Sequence, residues 1–329
     1  RNRIFFSVLL AILISNHNLS FIMFAPLLIL WIVFRLHQSE SWKLSFKFFL
    51  GLVASLSLSA FYILPVLFEA KFINLESTVR GYFDFRGHFI TLYQIFLSRN
   101  WGYGASVFGQ EDGLNLSLGF MQWIVPLVVL LLILFRKKVR EYKGFLVLYA
   151  IGIFYLFMTH NKSTFIWEKI APMTYIQFPW RFLGMATFCF SLASGALISL
   201  LNKYKALIGG IVVVSSITLN FFFFKEDIWY KVGDSYFTTG KEWDRQRTAS
   251  IGDFWPNFGH KIPDKPASGE FVNYFPGWVG ALPNKDGLIP SNGTAFTDTP
   301  IRKIGNMISV ISFVGLVFVY TKKKWQEEI

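Results

Sequence analysis

Apolar runs recur along the 329-residue chain at about 3–16, 19–35, 45–68, 118–135, 144–159, 179–201, 206–224 and 304–321, each closed off by charge or turn formers. A helix needs roughly 20 apolar residues to cross a hydrocarbon core about 30 Å thick. Lipid offers the backbone no hydrogen bonds, so such runs must satisfy their own as helices. The pattern therefore sets the solvent before it sets the fold. With 53% hydrophobic, 19% aromatic and 16% charged residues, the chain lies outside the usual soluble range. The expectation is an all-α polytopic membrane protein with about eight transmembrane helices, the run at 3–16 being short for a span.

A net charge of +12 raises nucleic acid as a partner. The lysines and arginines instead flank apolar runs, which reads as topology signals beside anionic membrane lipids and excludes nucleic acid. One alternating set of connections carries Arg1 and Arg3, then Arg35, Lys43 and Lys47, the "RKKVREYK" block at 136–143, Lys203 and Lys205, and Lys322 to Lys324. The other begins with uncharged "SNHNLS". Cytoplasmic connections are enriched in lysine and arginine, so both ends of the chain are expected in the cytoplasm.

That orientation divides the chain into a helical region, 1–224, with outer loops at about 69–117 and 160–178, an outer region, 225–303, and a final helix with a basic tail, 304–329. "FVNYFPGWVGAL", "PNKDG" and "SNGT" alternate strand and turn formers, so 225–303 is expected to be a small β-rich appendage. "GHFITLYQIFLSRNW" is spaced like a helix too short to span and predicts an interfacial helix. The opening "RNRIFF" has neither methionine nor a signal-cleavage site and reads as the later part of a longer protein.

Polar groups near membrane depth are the first candidates for chemistry. "SNHNLS" places His17 and Asn18 at an outer mouth, where a histidine contacts phosphate oxygen or shuttles a proton, or where the stretch is only a wetted hairpin. Glu69 follows "FYILPVLFEA", with Pro65 one turn earlier to kink the helix, and is either a general base or metal ligand or a solvated helix end. Glu111 and Asp112 in "WGYGASVFGQEDG" suit a divalent cation, though the spacing is not that of an EF-hand and a plain turn explains it equally. His88, His160 and His260 lack zinc spacing, and the one cysteine, Cys189, lies in an apolar run and forms no intrachain disulfide.

Arg181, in "TYIQFPWRFLG", is the strongest candidate. A guanidinium at the outer end of a span runs against the charge bias and suits bidentate contact with phosphate. Pro179 belongs in a first helical turn, whose positive dipole end adds to the attraction. Trp180 beside it supports the other reading, interfacial anchoring.

The succession "SNHNLSFIMFAPLLIL", "AFYILPVLFEA", "WGYGASVFGQEDGLNLSLG", "IQFPWRFLG", "FWPNF", "YFPGW" and "TDTPIRKIGNMIS" resembles the bacterial YfhO-like membrane proteins, including those labelled 6-pyruvoyl-tetrahydropterin-synthase-related, from about residue 5 to 320. These are similar to GT-C glycosyltransferases, which move a sugar from a polyprenyl-phosphate carrier to a glycan or protein acceptor outside the cell. The resemblance implies a plasma-membrane protein of the cell envelope. Joined to the residue-level reading, it makes Arg181, His17 and Asn18 the candidate contacts to the lipid phosphate. In GT-C enzymes the catalytic acid usually lies in the first outer loop. "SNHNLS" has no carboxylate, so that group is expected upstream of Arg1, or the chain is no transferase. The alternative is a non-enzymatic component that assembles or transports polysaccharide or lipid precursors.

Overall fold

The structure is a computed structural model describing residues 2–39, 42–73, 75–109, 111–224, 231, 233–241, 243, 289–291, 295–297 and 299–327. It is predominantly helical. The helices are α1 (Asn2–Asn16), α2 (Asn18–Ser39), α3 (Trp42–Leu58), α4 (Ala60–Glu69), α5 (Leu92–Phe96), α6 (Phe120–Phe135), α7 (Lys143–Thr159), α8 (Thr164–Lys169), α9 (Phe182–Ser194), α10 (Ala196–Leu200), α11 (Lys205–Asn220), α12 (Ser235–Thr238) and α13 (Pro300–Glu327).

Four described helical stretches are long and apolar enough to cross a membrane: Asn18–Ser39, Pro179–Leu200, Lys205–Phe224 and Pro300–Lys322. The number rises to six if two sharply bent helix pairs each count as one span. The expectation of about eight reduces to this because Ile4–Asn16 and α6 are short. At ~1.5 Å per residue, the 16 residues of α6 reach about 24 Å, less than the hydrocarbon core. Most of 225–303 lies outside the described residues. What is described there is α12 and a three-residue antiparallel pair, β1 (Ile289–Ser291) with β2 (Ala295–Thr297), in the register Ile289↔Thr297, which does not support a β-rich domain.

The chain forms two compact units. The first comprises residues 1–22, 35–78 and 231–329. Here α1 packs on α3, and α13 packs on α4 and α3. Buried serines join them: Ser7 Oγ donates to the Gly51 carbonyl and Ser59 Oγ to that of Ala11, each at 3.1 Å. Small hydroxyl residues let helix backbones approach where no hydrophobic drive separates helix from lipid.

The run expected as one span at 45–68 breaks at Ser59, with the axes before and after it at 69°. The break falls six residues ahead of Pro65, which sits within α4. It is closed from α13. Ser309 Oγ donates to the Ser57 carbonyl at 3.2 Å and accepts from the Phe61 N–H at 3.0 Å. One turn earlier, a Cβ on Gly305 would come within 2.7 Å of the Ala60 carbonyl, so only glycine permits this approach. The Gly305/Ser309 pair seats α13 on the broken ladder.

The second unit comprises residues 23–34 and 79–230. α9 packs along α7 and α6, around Val129, Ile133, Phe145, Ala193 and Leu197. Fully buried Tyr155 enters the backbone of α2 beside Pro26: its hydroxyl donates to the Met23 carbonyl at 2.7 Å and accepts from the Leu27 N–H at 3.1 Å. Residues 23 and 27 are normal i, i+4 partners, so the phenol stands where a helical hydrogen bond would be.

α7 ends at His160 and turns by 94° into α8. The turn repairs itself locally. His160 Nδ1 accepts from the Lys162 N–H, while Ser163 Oγ and Trp167 Nε1 donate to the Met158 carbonyl at 3.2 and 3.1 Å. The expected interfacial helix is the single turn α5, closed by a capping box between Thr91 and Gln94.

Candidate anion site at the start of α9

Arg181 lies where an irregular connection becomes a helix. A 3₁₀ segment, Ala171–Ile176, ends at Gln177, whose φ of 66° reverses the chain. Phe178 is extended, and Pro179–Arg181 forms a 3₁₀ turn leading directly into α9. The half-buried arginine folds back over this reversal. Its Nη1 donates to the Ile176 carbonyl at 2.9 Å and to Gln177 Oε1 at 3.4 Å, and its guanidinium carbon lies 5.0 Å from the Phe178 ring centre. Trp180 stacks on the same ring at 5.3 Å, with its buried Nε1 lacking a hydrogen-bond partner.

One edge of the Arg181 guanidinium anchors the turn, while Nε and Nη2 have no partner among the described residues. A guanidinium offers five donors in a rigid fork, so an anchored arginine retains capacity for an anion.

The Phe178 ring also meets His88, 4.7 Å away, and Tyr82. His88 is only 1% exposed. Its Nδ1 pairs with Ser106 Oγ at 2.9 Å and its Nε2 with the Tyr82 carbonyl, while the Tyr82 hydroxyl donates to the Ser106 carbonyl at 2.7 Å. The sequence treats His88 as one scattered histidine, but it ties Tyr82 to Ser106 across the connection between α4 and α6. Beside this cluster, Glu168 and Asp84 bracket Arg86 at 3.0 and 3.3 Å; the Glu168 hydrogen bond above all holds the guanidinium above its ordinary pKa. Such an exposed pair is worth at most about 1 kcal/mol.

Asp112 is 6% exposed, and its carboxylate is already occupied. It accepts from Gln94 Nε2 at 2.8 Å and from the Val107 N–H at 2.9 Å, and its carbonyl accepts from Asn100 Nδ2 at 2.8 Å. Gly104 and Gly113 cross beside it so closely that a Cβ on either would lie 2.7 Å from the other's Cα. The carboxylate organises a tight loop by accepting N–H groups, whereas a bound cation would need those same oxygens. Glu111 is exposed, with no partner among the described residues. No group of three or more His, Cys, Asp or Glu that could hold a metal is found among the described residues.

Glu69 is a partner of α13. It accepts from Arg302 Nε at 3.0 Å and Nη2 at 2.7 Å, and from Thr299 Oγ1. Thr299 caps α13 through the Arg302 N–H at 3.2 Å. His17 caps α2, its Nδ1 accepting from the Ser20 N–H at 3.2 Å, and Asn18 Oδ1 accepts from the Leu19 N–H at 2.8 Å. Glu69, His17 and Asn18 belong to the first unit; Arg181, Glu111 and Asp112 belong to the second.

Compared with protein-family models, curated proteins and solved structures, the chain finds no match.

Proposed function

We propose that this protein is a multi-span component of the cell envelope, glycosyltransferase-like, that holds a polyprenyl-phosphate-linked sugar at the outer face of the plasma membrane. Both ends of the described chain then face the cytoplasm, as the lysine and arginine distribution favours. The observation carrying the reading is Arg181: a half-buried guanidinium at the head of an apolar helix, fixed on the Ile176 carbonyl and retaining two nitrogens for an anion. The phosphate binds by charge-assisted hydrogen bonds while the isoprenoid chain stays in lipid.

If sugar transfer occurs in this chain, Glu111 is a candidate to take the acceptor proton, being exposed and without a partner among the described residues, whereas Asp112, Asp84, Glu168 and Glu69 hold structural partners. The same occupied carboxylates favour a second reading, a non-enzymatic component that assembles or transports lipid-linked precursors. Binding of radiolabelled polyprenyl phosphate to the purified full chain tests the shared core. Arg181→Gln is expected to weaken it about tenfold, as loss of one charge-assisted contact implies; unchanged binding rejects the site. Transfer from a lipid-linked sugar that disappears in Glu111→Gln selects the enzyme over the second reading.

A further inference from the structure

A second amphipathic feature lies in the second unit, built from residues other than those around Arg181. An open cleft of about 370 Å³ is walled by Phe96, Trp123, Leu127, Tyr149, Ile153 and Phe190, from α5, α6, α7 and α9. Its volume is in the range of small-ligand sites, roughly 300–1,000 Å³. From Trp123 in the first turn of α6, the wall reaches Tyr149, ten residues before the end of α7. At ~1.5 Å per residue it therefore descends about 15 Å from one end of the helices.

Phe96 also lines a polar recess with Ser98, Arg99, Ser117, Gly119 and Asn220. The recess has about 10 Å³, room for one oxygen-sized group rather than a whole headgroup. Exposed Arg99 stands there with one nitrogen on the Leu219 carbonyl at 2.8 Å, its guanidinium 5.4 Å from the Phe120 ring and 4.5 Å from that of Phe222. Its Nε and Nη1 have no partner among the described residues. In the apolar wall, the buried Trp123 Nε1 also lacks a hydrogen-bond partner, a costly state for a buried donor.

We propose that this cleft and recess form a binding site for an anionic diacyl phospholipid, with one acyl chain along the cleft and its phosphate on Arg99. Charge complementarity makes the headgroup anionic.

The test is native mass spectrometry of the full chain after exchange into detergent with equal amounts of dioleoyl phosphatidylglycerol and dioleoyl phosphatidylcholine. One phosphatidylglycerol is expected to be retained in preference to phosphatidylcholine. Arg99→Gln should reduce that preference about tenfold, and Ile153→Trp, which fills the cleft from its open side, should abolish retention. Arg181→Gln should leave it unchanged, which separates this site from the polyprenyl-phosphate reading. Equal retention of the two lipids, an unaltered preference in Arg99→Gln, or displacement by an equal amount of polyprenyl phosphate would each overturn the assignment. Should Ile153→Trp fail to fold, the surface substitution at Arg99 decides.

Discussion

The chain breaks a helix sharply at Ser59 and again at His160, and the two breaks are mended differently. At Ser59 the freed Ser57 carbonyl and Phe61 N–H are both taken by one hydroxyl from α13, Ser309, about 250 positions later in the chain. At His160 the repair stays within the next seven residues: the Lys162 N–H goes to His160 Nδ1, and the Met158 carbonyl is taken by Ser163 and Trp167. An unsatisfied backbone group in hydrocarbon costs several kcal/mol, so any break at membrane depth needs donors and acceptors brought to it. The first break makes a distant helix indispensable to a nearby one. The second makes α7 and α8 nearly self-sufficient and leaves later elements free for other contacts.

The comparison can be broken most forcefully at Trp167, which is fully buried, stacked 5.1 Å from Phe85 and edge-on to Phe182. Trp167→Ala removes both the local donor and the packing, and should cost about 3–5 kcal/mol, read as a fall in the heat-denaturation midpoint in detergent. Ser309→Ala should cost about 1–2 kcal/mol and, more tellingly, accelerate hydrogen exchange at the Phe61 amide while leaving α7 and α8 untouched. If the Phe61 amide stays protected in that variant, the remote repair is not what closes the first break. The smallest effect belongs to His160→Asn, within about 0.5 kcal/mol on the same denaturation curve, because asparagine also accepts at a helix start. A larger loss would show that His160 does more than cap its turn.

The same contrast explains what can be read without coordinates. The apolar runs foretell the helices almost segment for segment, because helix formation in an apolar medium depends on local composition. The polar run His160 to Thr164 likewise looks like a turn. The seat of α13 does not show, since "GNMIS" gains its meaning from Ala60 and Phe61, across the intervening chain. Asp112 misleads in a related way: beside Glu111 it resembles half of a cation site until Gln94 and the Val107 amide are seen to fill it. For Arg181, its place at a helix start is legible from Pro179 and Trp180. The carbonyl it grips is not, because it depends on Gln177 adopting a positive φ in a γ-turn, with the Phe178 N–H on the same Ile176 carbonyl, a geometry few non-glycine residues take.

Glu69 adds a matter of timing. Its cation, Arg302, is 233 residues away, and chains are made from the N-terminus at about 5–20 residues per second. The carboxylate therefore leaves the ribosome roughly 10–50 s before the arginine that will neutralise it. Through that interval α4 carries an unmatched charge and an open ladder at its start, and α13 resolves both on arrival. α13 thus acts as a latch: the contacts that complete the start and end of α4 form only once α13 has been made.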